Sequence, residues 1–81
     1  MKLSVLLFAA AREIAGCESV ELELPATATV GQMRVALLQA FPTLAARTGF
    51  LLCAVNNEYA SDDCVLQAGD VVACFPSVSG G

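Results

Sequence analysis

The sequence ends in "FPSVSGG", and its last residues, Gly80 and Gly81, have no side chains to pack. Glycine permits backbone angles and close approaches that any side chain would block, so a tail of this kind could thread a narrow channel. What it would deliver is an α-carboxylate. That group is ionised at neutral pH and is a poor electrophile. It needs activation by another protein, most simply ATP-dependent adenylation, after which a sulfur or nitrogen nucleophile displaces AMP. In that case the chain is a carrier and its partners are the catalysts. The bland alternative is a frayed end, since chain termini are commonly disordered and tolerant of change.

Other chemistry is poorly supplied. The chain has no histidine, so it lacks a His-based triad, general base or zinc site of the usual kind. Glu13 with Glu18, or Asp62 with Asp63, are the only carboxylate pairs worth weighing, and Asp62 and Asp63 stand in a polar, turn-like stretch where solvated acids are the rule. No phosphate-binding glycine loop is present. Cys17, Cys53, Cys64 and Cys74 contain no C-x-x-C pair and no iron–sulfur spacing, so no metal site is expected. Cysteine in apolar strands usually behaves as a small core residue, and buried, reduced thiols are expected here.

Composition bounds the rest. A length of 81 residues supports one domain. With 57% apolar residues the chain has more hydrophobic surface than so small a core can hide, so some of it should face a partner. A net charge of −4 argues against binding a nucleic-acid backbone or an anionic membrane surface. No apolar run approaches the roughly 20 residues of a membrane span. The opening "MKLSVLLFAAA" has the grammar of a secretory signal, but the run is short and Arg12 and Glu13 follow at once. A first strand in a cytoplasmic protein is the preferred reading.

Several elements must position the tail. Lys2 to Phe8 reads as a largely buried strand, followed by a helical turn or two over Ala9 to Ala15, capped by a left-handed Gly16. In "SVELELP", Val20, Leu22 and Leu24 alternate with Glu21 and Glu23, the period of a half-exposed antiparallel strand. Thr29 and Gln32 stand at capping-box spacing ahead of an apolar stripe of Val30, Met33, Leu37 and Phe41, which predicts the main helix up to Pro42. "TLAARTG" is a loop or a second short helix. "FLLCAVN" reads as a buried strand turning at Asn56 and Asn57, "EYA" as a short return strand, and "QAGD" as a turn at Gly69. The apolar "VVACF" is the last strand and belongs at the sheet centre, parallel to the first strand if the two pair. The order predicts an α+β domain over residues 1–75, a β-grasp or ubiquitin-like fold: a mixed sheet of about five strands with one main helix across one face. Residues 76–81 are expected to form a flexible tail.

With these elements in place, "FAAAREIAG" (Phe8 to Gly16), "AVN" (Ala54 to Asn56), "LQAGDVVA" (Leu66 to Ala73) and "FPSVSGG" (Phe75 to Gly81) resemble the small-subunit family of molybdopterin synthases, ubiquitin-like sulfur carriers. The resemblance covers essentially the whole chain. It implies that an E1-like adenylyltransferase activates Gly81 with ATP and that sulfur, relayed from a cysteine desulfurase, converts it to a thiocarboxylate. Gly80, Ser79 and Val78 would thread the tail into the large subunit, where the sulfur passes to a pterin precursor to build the dithiolene. The family assembles as a heterotetramer, with small subunits at the ends of a large-subunit dimer. No permanently bound cofactor is implied, only ATP used by the activating enzyme and covalent sulfur at Gly81. Phe8, Phe75 and Pro76 match positions expected at the apolar partner contact, and Arg12 matches a partner-binding arginine. Ordinary core is the alternative for the phenylalanines, and a solvated turn residue for Arg12.

Cys74 stands where the family often has phenylalanine, which should shrink the apolar partner surface. Ser77 replaces a frequent second proline, which should leave the tail base less stiff. Other readings stay open: a sulfur carrier for thiamin, cysteine or tRNA thiolation, a ubiquitin-like protein modifier, or a plain interaction module.

Overall fold

The computed structural model describes residues 1–48 and 51–76. Strand β1 (Lys2–Leu7) leads into the short helix α1 (Ala9–Ala15) and then β2 (Ser19–Glu23). Helices α2 (Val30–Ala40) and α3 (Pro42–Thr48) follow, and β3 (Leu51–Val55), β4 (Glu58–Tyr59) and β5 (Val71–Pro76) complete the order. The short segment left open in the sequence is therefore a helix, α3.

The sheet runs β2-β1-β5-β3-β4. β5 is central: it pairs parallel with β1 and antiparallel with β3, while β1–β2 and β3–β4 are antiparallel. This is the mixed five-strand β-grasp sheet that the sequence order predicts. The turns obey local chemistry. Gly16 adopts φ 79 as the C-cap of α1 and donates its N–H to the Arg12 carbonyl at 2.9 Å. Asn56 and Asn57, at φ 52 and 72, make the β3–β4 turn in the left-handed region that asparagine tolerates.

Helix α2 starts on the expected capping box. The Gln32 N–H donates to Thr29 Oγ1 at 3.2 Å, and the Thr29 N–H donates to Gln32 Oε1 at 2.9 Å. Val30, Met33 and Leu37 are buried, whereas Phe41, at the C-cap, is only half-buried. They join Ala11 of α1, Leu44 of α3 and the inward residues of the sheet in one cluster. Thr29→Ala removes one half of the box and is expected to cost about 1 kcal/mol in urea unfolding, with the native fold retained.

One expectation is corrected. β1, β3 and β5 are not buried throughout. Leu3, Val5 and Leu7, Leu51 and Cys53, and Val72 and Cys74 point into the core, and their neighbours point away from it. The reason is the single helical layer: α1, α2 and α3 contribute to one core cluster, so each strand hides only alternate residues.

Candidate functional site

The uncovered face of the sheet carries an apolar strip built by register. Leu6 lies opposite Ala73, Ala73 opposite Ala54, and Ala54 opposite Tyr59, so these four residues form one row across β1, β5, β3 and β4. The two alanines, having only methyl side chains, make a low floor. Phe8, Tyr59, Val71 and Phe75 rise around it, and with Asn57 they enclose a shallow groove of about 480 Å³.

These side chains are open to solvent. Phe8 is 45% exposed, Val71 53% and Tyr59 76%, while Phe75 is half-buried and meets the Tyr59 ring edge-on at a centroid distance of 5.8 Å. The arrangement is preset by the backbone. The Phe8 N–H donates to the Cys74 carbonyl at 3.1 Å, which extends the β1–β5 ladder by one residue, and Ala9 then turns the chain at φ 54. Phe8 is thus held beside the end of β5 as the N-cap of α1, where its side chain makes no capping bond.

Of the residues singled out in the sequence, Phe8 and Phe75 come together in this groove and neither is ordinary core. Pro76 is half-buried and is the last residue of β5, opposite Leu51 in the register. Arg12 is exposed in α1 and does not line the groove. Val78, Ser79, Gly80 and Gly81 lie outside the described residues, as does Ser77. Cys74 corrects an expectation: it is buried on the inner face, so it takes nothing from the apolar groove.

The sequence reading missed Leu6, Ala54, Tyr59, Val71 and Ala73. The period of two that any strand imposes, combined with a single helical layer, was the available signal, since it assigns every second residue of "KLSVLL" and "VVACF" to the open face although their composition does not alternate. The carboxylates do structural work or stay solvated. Asp62 accepts a hydrogen bond from Arg34 and Asp63 is exposed. Among the described residues no group of three or more Cys, Asp or Glu side chains could hold a metal ion, and no helix is long and apolar enough to cross a membrane.

A model of the ThiS family matches residues 5–81, a span that includes every groove residue and the terminal glycines. The chain belongs to the ThiS family. Two relatives carry the name molybdopterin synthase sulfur carrier subunit. That of Escherichia coli strain K12 is 38% identical over 81 residues, covering 98% of this chain and 99% of the relative. That of Arabidopsis thaliana is 35% identical, covering 100% of this chain and 84% of the relative. Among solved structures, SAMP1 from Haloferax volcanii superposes with a TM-score of 0.87 at 34% identity, over the full length of both chains. For this ThiS-family chain, then, the β-grasp architecture and the groove are one unit, with β5 running through the groove toward the carboxyl end.

Proposed function

We propose that this chain is the sulfur carrier and sulfur-donating small subunit of a molybdopterin synthase. Gly81 is adenylated by an E1-like adenylyltransferase using ATP. Displacement of AMP by sulfur from a cysteine desulfurase relay leaves a thiocarboxylate, and the large subunit directs that sulfur to the pterin precursor. The chain binds no resident cofactor in this scheme and contributes no general acid or base. The names of its relatives support the reading, and one structural observation carries it. β5 supplies Val71, Ala73 and Phe75 to the groove and ends at Pro76. A partner that covers the groove therefore meets the start of the segment leading to Gly81.

The groove suits both partners in turn. An apolar patch with aromatic walls gives affinity without fixing one set of charges, so the activating enzyme and the large subunit can use it successively. Arg12, exposed outside the groove and without a side-chain partner among the described residues, is available to an acidic group at the rim. The scheme places the chain in the cytosol, where ATP is at hand and thiols stay reduced.

Incubation with the adenylyltransferase, ATP and a sulfur source is expected to raise the intact mass by the exchange of one carboxyl oxygen for sulfur, localised to Gly81. No change, under conditions where a known carrier is converted, would contradict the proposal. The likeness to Haloferax volcanii SAMP1, named small archaeal modifier protein 1, favours one further reading, a protein modifier. Isopeptide adducts between Gly81 and lysines of other proteins would select that reading.

A further inference from the structure

Two thiols of the core face each other across the sheet. Cys53 of β3 and Cys74 of β5 are direct partners in the antiparallel register, and their sulfurs lie 3.5 Å apart. The hydrogen bonds show which kind of partners they are. The Cys53 carbonyl accepts from Ala60 on the β4 side, and the Cys74 carbonyl accepts from Phe8 on the β1 side. Both residues thus turn their backbone groups away from each other, which makes them a non-hydrogen-bonded pair. In such a pair the Cα atoms approach to about 4.5 Å and the side chains are at their closest. That separation falls inside the range a disulfide spans, roughly 4.4–6.8 Å between Cα atoms.

A cation stands beside them. The Arg34 guanidinium, on α2, is 3.7 Å from the Cys53 sulfur, donates to the Leu51 carbonyl at 3.1 Å and is paired with Asp62. The Arg34 side chain is 11% exposed and Asp62 60%, so this ion pair connects the thiol to the surface.

We propose that Cys53 and Cys74 are a redox modification site, closing to a reversible cross-strand disulfide on reaction with a peroxide. The Cys53 thiolate attacks the peroxide O–O bond, becomes a sulfenic acid and releases hydroxide. The Cys74 sulfur then displaces the sulfenic oxygen and gives up its proton, so both thiols are oxidised and one hydrogen peroxide becomes two waters. A thiol reductant reverses the change. The two sulfurs are suited to unequal roles. A hydrogen bond from the Cys74 thiol, aided by Arg34, holds Cys53 below the ordinary thiol range, and the same bond together with burial pushes Cys74 up. Cys53 is the group that ionises and attacks; Cys74 resolves.

The native full-length chain, treated with hydrogen peroxide and then alkylated, tests this. Cleavage after Glu13, Glu18, Glu58, Asp63 and Asp70 puts each of the four cysteines on its own peptide. A link between the Cys53 and Cys74 peptides, with Cys17 and Cys64 left alkylatable, is expected. Its rate should rise with pH as Cys53 ionises, and Cys17→Ser/Cys64→Ser should retain it. A link through Cys17 or Cys64, sulfinic acid at Cys53 with no link, or failure of the pair to react while the urea-unfolded chain does, would each overturn the proposal.

Discussion

Deletion of Gly81 is expected to abolish sulfur transfer to the pterin precursor while leaving stability within about 0.5 kcal/mol of the intact chain, as for surface changes. The expected loss of function follows from reach: the shortened chain still ends in a carboxylate, on Gly80, but it stops roughly 3.5 Å short of where the partners act, and no side chain takes its place. The chain has no histidine, its clearest carboxylate pair is split between an ion pair with Arg34 and solvent, and its buried thiols point away from the groove. The stability expectation rests on the position of the core. Every buried apolar residue among those described lies between Leu3 and Cys74. Urea unfolding, followed by a turnover assay with large subunit, checks both halves. Destabilisation by several kcal/mol would show that the end of the chain is part of the fold.

Phe8→Asp is the second large effect, and its interest lies in opposite consequences at two levels. Phe8 is the N-cap of α1, in an extended conformation at φ −126 and ψ 157, and its side chain contributes no cap. Aspartate is among the preferred residues there, so the fold should hold its stability or gain up to about 1 kcal/mol. At the same time a carboxylate replaces an exposed ring on the wall of the groove. An aromatic anchor desolvated by a partner is worth about 2 kcal/mol or more, and burying an unpaired charge in its place adds to the loss. Affinity for the large subunit should fall at least about thirtyfold. Titration calorimetry measures the binding and thermal unfolding the stability. Unchanged affinity would remove the groove from the interface.

Much of the fold was legible because local signals and overall layout agreed. The capping box at Thr29 and Gln32, the glycine at position 16 and the paired asparagines each fix one backbone event, and each formed where its chemistry demands. The apolar density of "VVACF" was enough to put β5 at the sheet centre. Composition alone announced an exposed apolar surface, since 57% apolar residues exceed what a domain of this size can bury.

What the sequence did not reveal was where that surface lies. Leu6, Ala54 and Ala73 are unremarkable as single letters, and they become a groove floor only through the registers that align β1, β5, β3 and β4. Tyr59 is on a two-residue strand too short to show periodicity. The role of Cys74 was hidden for the same reason. A residue next to Phe75 in sequence points to the opposite face of the sheet, so it belongs with Cys53 and not with the groove.

The central claim is that sulfur leaves this chain from Gly81 and arrives on the pterin. A single-turnover reaction with the isolated thiocarboxylate form, labelled at its sulfur, tests it most directly in the presence of the large subunit and the pterin precursor. The label is expected in the dithiolene product as the chain returns to the mass of its carboxylate form. Label retained on Gly81, or product formed without it, would show that the sulfur does not come from this chain.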